Sequence, residues 1–374
     1  MKKSSARLFI AALSAFPMLV TGMMFPYSAC AAEVEITAEP GLEIFDPKDS
    51  KYDYRYGPSM ILNEDGSLDV WFASPGAELA DGSYEWDWIR HKRTTDGGQT
   101  WSEETIVLRP TPDSLDQISI CDPAVFKFGG YYYLSVTATD NADGFRNQIF
   151  VARSKSATGP FEKWNGGGWG GKPAPFITFQ TPPKAWGVGE PAFTIKGDTL
   201  YIYYTYLITD PDGSYAIGSG GKAGDLINQT HLATAPLGPD WPAHIKPHGK
   251  LWDRTEGEDS MDVKYIPSAD LFLSISTAKR MTADAHVIYR TSKDGIHFSE
   301  PKALRENIKP WCHNAGISSG TEGWIDPSTP VYLAYAYSNK PEVSWGVWHT
   351  WLNPVKITVT GNAAGEEKTA VDKP

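Results

Sequence analysis

The sequence predicts an all-β chain folded as a five-bladed β-propeller of four-stranded antiparallel blades, and three observations carry that expectation. The first is a repeated hairpin. Asp122-Pro-Ala-Val-Phe-Lys-Phe-Gly-Gly-Tyr-Tyr-Tyr-Leu reads as an acid, an apolar run, a Gly-Gly turn and an aromatic run. Glu190-Pro-Ala-Phe-Thr-Ile-Lys-Gly-Asp-Thr-Leu-Tyr-Ile repeats it position for position. Weaker copies begin at Gly57, Asp262 and His313, so five units start at 57, 122, 190, 262 and 313. The second is a recurring turn: Thr94, Ser154, Thr234 and Thr291 each precede an aromatic residue (Trp101, Phe161, Trp241, Phe298) by seven positions and enclose a glycine. The third is the near absence of helical periodicity beside 35 glycines and 28 prolines. Repeated units of hairpin, loop and hairpin are the pattern of propeller blades.

Residues 1–31 stand outside that pattern. Lys2, Lys3 and Arg7 precede an apolar run from Leu8 to Phe25, and Ala29-Cys-Ala31 offers a small-residue cleavage site. This is the pattern of a secretory signal peptide, so the protein is expected to be secreted or periplasmic. Pro17 and polar residues interrupt the run, and no other long apolar stretch exists, so no membrane span is expected.

The blades then follow in order, with one propeller domain expected over 32–360. Val34-Glu-Ile-Thr37 is a short alternating strand suited to closing the ring against the last blade, which removes an exposed edge. Unit one runs from Gly57 to about Leu108 and carries the loop Tyr84-Glu-Trp-Asp-Trp88. Unit two runs from Asp122 to about Trp164. Unit three begins at Glu190 and has the longest insertion, Ile208 to Ile227. Unit four follows Trp252-Asp-Arg-Thr-Glu-Gly-Glu-Asp259, and unit five follows Trp311-Cys312. Residues 361–374 read as a flexible tail.

Charge and cysteine content narrow the function. The net charge is −11, and loss of residues 1–31 makes it −14, with no Lys/Arg run to hold phosphates. Nucleic acid is therefore not an expected partner. The roughly 340 remaining residues exceed the about 250–300 a single core usually holds, a limit that a ring of blades evades. Cys121 and Cys312 each precede a unit start in non-adjacent blades. Their Cα atoms are expected beyond the roughly 7 Å a disulfide spans, leaving two thiols.

Geometry converts the repeat into a candidate site. First strands of propeller blades line the axis and run the same way, so their N-terminal residues converge on one face. That ring holds Arg55, Asp122, Glu190, Asp262 and His313, with Trp86, Trp88, Trp186, Trp252 and Trp311 nearby and Arg146 and Arg280 on loops. Carboxylates beside aromatic platforms suit a sugar, whose C–H faces stack on rings while its hydroxyls bond to carboxylates. Two carboxylates across a small pocket also suit glycoside hydrolysis. The plainer reading is that an acid before proline satisfies backbone N–H groups at a channel mouth. Units one and five lack the acid, so the blade does not require it.

The segments at Asp122 and Glu190, with Ala152-Arg-Ser-Lys-Ser-Ala-Thr-Gly-Pro-Phe, resemble blades of glycoside hydrolase family 43 and its five-bladed relatives, among them family 32. The turns at Thr94–Trp101 and Ser292–Phe298 resemble the Asp-box of sialidase-type propellers. The resemblance implies Asp122, Glu190 and Asp262 as catalytic candidates, with Glu190 as general acid and Asp122 or Asp262 as base, nucleophile or transition-state stabiliser. By their ring and loop positions Arg55, Trp86, Trp88, Arg146, Trp186, Trp311 and His313 are the expected substrate contacts. His313 resembles a last-blade histidine that often sits near a calcium ion; no other cofactor is implied. The chain departs from the family at Gly57, where blade one would carry an acid. The expected function is an exported glycoside hydrolase acting on a terminal sugar. A sialidase, a non-catalytic sugar-binding propeller and a polysaccharide lyase are the alternatives. A sialidase needs three converging arginines and usually six blades.

Overall fold

The computed structural model describes residues 32–45, 54–179, 185–208, 227–255, 257–338 and 348–361. The expected signal peptide, nearly all of the C-terminal tail and the insertion between Ile208 and Ile227 fall outside those residues. The described chain is built of β-strands with three single-turn 3₁₀ helices, and none of its helices is long and apolar enough to cross a membrane.

Five antiparallel sheets follow one another along the chain. Blade 1 comprises Tyr56–Leu62, Leu68–Pro75, Asp87–Thr94 and Thr105–Leu108, and blade 2 comprises Ser119–Phe128, Tyr131–Thr139, Gln148–Ser154 and Glu162–Lys163. Blade 3 comprises Gly187–Lys196, Thr199–Ile208, Ile227–Pro236 and Lys246–Asp253. Blade 4 comprises Met261–Ile266, Leu271–Ala278, His286–Ser292 and Lys302–Leu304. Blade 5 takes Cys312–Ile317, Val331–Tyr337 and His349–Thr360 from the end of the chain and Glu33–Ala38 from its beginning. Glu33 faces Thr360 and Ala38 faces Val355, so the first strand closes the ring as its alternation predicts. Its burial alternates strictly, with Val34, Ile36 and Ala38 turned into the core.

Second strands such as Leu68–Pro75 and Leu271–Ala278 are buried along their whole length because each is covered by a neighbouring blade on both faces. Aromatic residues fill the wedges between blades. Phe126 of blade 2 lies 4.9 Å from Phe193 of blade 3, and Trp241 packs against both. The turns fold as their composition requires. Asp96 accepts from the Thr100 backbone N–H at 2.9 Å, Thr94 accepts from that of Gly98 at 3.0 Å, and Gly97 and Gly98 take positive φ. The matching turn at Asp294 closes under Phe298, which meets Tyr203 of blade 3 edge-on at 6.0 Å. Cys121 and Cys312 are both free thiols.

Candidate functional site

The inner strands do not run straight to their N-termini. Register shifts between Tyr56 and Ser59, Cys121 and Ala124, Gly189 and Ala192, and His313 and Ala315 mark a β-bulge in blades 1, 2, 3 and 5. At each bulge one residue takes left-handed backbone: Gly57 (φ 62°), Asp122 (φ 46°), Glu190 (φ 50°) and Asn314 (φ 47°). A bulge re-aims a side chain at the cost of local strain, and such bulges recur beside active sites. Here it turns the acids toward the axial mouth.

That mouth holds a cavity of about 280 Å³ whose wall includes Asp87, Asp122, Glu190, Arg254, Arg280 and His313. Trp86 and Trp186 line it as well, Trp86 exposed at the rim and resting on Gly144 of the blade 2 loop.

Asp122 and Glu190 differ in their partners. Burial pushes the Asp122 carboxyl well above its ordinary value, and the charges of Glu190 and Asp87 push it the same way. The Cys121 thiol reaches its Oδ2 at 3.2 Å, and no cation pairs with Asp122 among the described residues. Burial also raises Glu190, with Asp259 adding to the shift, but Arg254 opposes it. Arg254 Nη1 lies 3.3 Å from Glu190 Oε2, which also accepts from the Thr205 hydroxyl, and the Glu190 backbone N–H donates to Thr137 Oγ1 at 2.7 Å. Arg254 is itself fixed by Thr230 Oγ1 at 3.2 Å and by its backbone bond to Asn228.

Blade 4 has no bulge, and this decides where Asp262 goes. Met261 pairs with Ser276 and Asp262 with Ile275 in unbroken register. Asp262 therefore lies with Asp122, Glu190, Ser59, Ala124 and Gly316 around a narrower axial space of about 40 Å³. There it pairs with the buried Lys264 at 2.7 Å and accepts from the Ile317 N–H at 3.0 Å. The Ile317 contact ties blade 4 to its neighbour blade 5, and Asp262 shares the narrow axial space with Asp122 and Glu190 but does not line the larger cavity. Asp259, three residues earlier, stands closer to that cavity. Burial opposes its charge, but the Arg280 guanidinium at 2.6 Å and the His313 ring at 3.6 Å hold it well below the ordinary carboxylate range.

The remaining candidates divide. Trp86, Trp186 and His313 line the cavity. Arg55 instead grips Glu104 with both arms, at 3.1 and 3.0 Å, and lies off the cavity wall. Trp88 lies under the Arg109 guanidinium at 4.7 Å, Arg146 is exposed, and neither they nor Trp311 line the cavity. Asp87 and Arg254 line the cavity without being marked by the repeat, and Cys121, expected only as a thiol beside a unit start, joins them on its wall. Asp87 sits between two tryptophans that drew attention, and Arg254 follows a strand whose end the repeat did not mark.

A calcium ion takes six to eight oxygen ligands, water and backbone carbonyls among them, and the side chains around His313 are engaged with one another. Its ring packs on Trp348 at 3.9 Å and on Tyr56 at 5.9 Å, and the carboxylate nearest it, Asp259, is engaged by Arg280 and by the Asn314 N–H. Among the described residues no group of three or more His, Cys, Asp or Glu side chains is arranged to hold a metal.

The fold and the carboxylate-lined mouth define the class: a five-bladed propeller with bulged inner strands presenting acids at one end of the axis. No family model matches the chain, and no curated protein matches it. Solved structures share the architecture. A family 117 glycoside hydrolase from the marine bacterium Zobellia galactanivorans is 16 % identical, with 87 % of this chain and 90 % of that one covered at a TM-score of 0.56. An α-L-arabinofuranosidase from Podospora anserina, in complex with cellotriose, is 12 % identical, covering 86 % and 96 % at a TM-score of 0.55. A thermostable family 43 glycoside hydrolase is 14 % identical, covering 83 % and 93 % at a TM-score of 0.52. At such identities what is shared is the fold. The blades number five, where a sialidase usually has six, and among the described residues the two arginines on the cavity wall, Arg254 and Arg280, are each paired with a carboxylate.

Proposed function

We propose that this protein is a glycoside hydrolase that removes a terminal sugar from a glycan, with Asp122 and Glu190 as its working carboxyls. One observation carries the reading: the two carboxyls share a cavity and repel each other, but only Glu190 has a cation. Environments that push two carboxyls apart divide them into a proton donor and an anion. Asp122, without a counterion, holds the proton and delivers it to the leaving oxygen. Glu190, whose upward shift Arg254 opposes, is the carboxyl that ionises more readily and stabilises the positive sugar ring of the transition state. This exchanges the roles expected from the sequence, and Arg254 is the reason.

Action at a chain end is supported by the size of the cavity. About 280 Å³ lies near the lower end of ligand pockets, about 300–1,000 Å³, and suits one sugar ring. Next to it the axis narrows to a space of about 40 Å³ lined by Asp122, Glu190 and Asp262. The same reading takes residues 1–31 as an export signal, and N-terminal sequencing of the exported protein should begin near Ala32.

The test is a screen of the purified protein on aryl glycosides and on plant and host glycans, with products weighed by mass spectrometry. Hydrolysis adds the mass of water, a lyase adds none, and a binding module leaves the glycan intact. Asp122→Asn should lower kcat on a natural linkage by about 10²–10⁴-fold, the usual worth of a general acid, and much less on an activated aryl glycoside. Glu190→Gln should impair both substrates. Failure to gain water on every glycan ends the reading.

A further inference from the structure

Blade one has no acid on its inner strand, yet a carboxylate of that blade stands on the cavity wall. Gly57 occupies the bulge position with φ 62°, and a Cβ there would lie 3.4 Å from Asp122 Cα and 3.6 Å from Asp122 Oδ1. A longer side chain at 57 would run into Asp122. Asp87 opens the third strand of the same blade and is buried, while Trp88, the next residue along, turns the other way beneath Arg109. Strand alternation thus sends Asp87 inward.

We propose that Asp87 is the carboxylate that takes a proton from the attacking water, so that blade one contributes its carboxylate from the third strand and not the first. The proposal rests on the glycoside hydrolase reading. Its geometric support is the way Asp87 is held. Tyr54 donates its hydroxyl to Oδ1 at 2.6 Å, and Tyr56 and Ser119 donate theirs to Oδ2 at 3.0 Å each. The Asp87 backbone N–H also bonds the carboxylate, so with about four lone-pair sites a water reaches Asp87 from the cavity by displacing or sharing with one of these donors. Hydroxyl donors stabilise the anion without neutralising it, and no cation pairs with Asp87 among the described residues. Tyr54 and Tyr56 face it from blade one, and Ser119, Cys121 and Asp122 from blade two.

The step balances within the site. The water oxygen bonds to the anomeric carbon, and its departing proton goes to Asp87. The glycosidic C–O bond breaks toward the leaving oxygen, which takes the proton of Asp122. Direct attack by water inverts the anomeric centre. Burial raises the Asp87 carboxyl above its ordinary value against the pull of its three hydroxyl donors and its own backbone N–H. The acidic limb of the pH–rate profile should therefore lie above the usual aspartate value of about 3.9.

The rival explanation makes Asp87 a latch that ties Tyr54 and Tyr56 to blade two. The full-length chain and any substrate found in the screen separate the two. Asp87→Asn should lower kcat about 10²–10⁴-fold, with KM and melting temperature little changed and the acidic limb lost. Asp87→Ala in azide should regain turnover and release a glycosyl azide of inverted configuration, seen by NMR, which a latch cannot give. Wild-type product of retained configuration, or Asp87→Asn within tenfold of wild-type kcat, overturns the assignment while leaving the hydrolase reading intact. A wild type that hydrolyses nothing overturns that reading, and with it this role.

Discussion

Two buried aspartates near the cavity respond in opposite directions to the same burial, and the neighbouring cation explains the difference. Asp259 has Arg280 at 2.6 Å and is held ionised; Asp122 has Cys121, Glu190 and Asp87 around it and is driven toward the protonated form. The consequences for stability have opposite signs. A carboxyl whose folded pKa is raised contributes stability that is complete below the unfolded value, about 3.9, and is lost as pH rises through the folded value. Asp122 therefore weakens the fold at neutral and alkaline pH. Asp122→Asn, which mimics the protonated form, should raise the melting temperature, and by more at pH 8 than at pH 5. An equal change at both would mean that Asp122 is ionised throughout. Asp259, with a depressed value, contributes stability above about pH 3.9 that is lost only as pH falls through its folded pKa. Asp259→Asn should cost about 3–5 kcal/mol at pH 7 in urea titration, as removal of one member of a buried pair does.

At the scale of the element, the bulge explains both what the sequence revealed and what it hid. The acid-Pro-Ala signature marks the bulge in blades 2 and 3, so Asp122 and Glu190 were legible, and Gly57-Pro in blade 1 is the same element without its acid. Blade 4 has no bulge and no signature, and its unbroken register leaves Asp262 in the narrow axial space with Asp122 and Glu190 but off the wall of the larger cavity. Asp87 and Arg254 come from a third strand and from the exit of a fourth, positions that a repeat of first strands cannot register. Arg55 failed for another reason: it lies in the ring by sequence, but Glu104, 49 residues away, takes its guanidinium. The bulge also yields a prediction. Restoring an acid by Gly57→Asp should not create a second catalytic carboxylate. It imposes left-handed backbone on a residue with a Cβ, which costs roughly 1–2 kcal/mol, and it brings a like charge against Asp122. A loss of at least about 2 kcal/mol in urea unfolding is expected, and unchanged stability would show that the site has more room than the contacts at Gly57 allow.

At the scale of the whole molecule, the site depends on ring closure, because its residues come from blades 1 to 5 and no one blade holds two of the working acids. Closure is made by the first described strand. Glu33–Ala38 pairs with residues Val355 to Thr360 on the outer edge of His349–Thr360, and Val34, Ile36 and Ala38 join a core cluster that also includes Ile266, Leu271 and Val287 of blade 4. That single strand therefore fastens blade 5 to itself and to blade 4. Burying a Val or Ile side chain is worth about 1.5–3 kcal/mol, so the two β-branched residues contribute roughly 3–6 kcal/mol, comparable with the about 5–15 kcal/mol net stability of a folded protein. A chain starting at Glu39 should lose cooperative unfolding or most of its stability, and its bared edge strand should make it aggregate. Ile36→Ala, which keeps the strand and its backbone pairing, should cost about 2–5 kcal/mol. The two variants together discriminate. If the truncated chain unfolds at the wild-type urea midpoint, Glu33–Ala38 is an accessory strand and the ring is fastened by blade-to-blade packing alone. If Ile36→Ala is costly and the truncated chain fails, closure by this strand holds the five inner strands, and hence Asp87, Asp122 and Glu190, around one cavity.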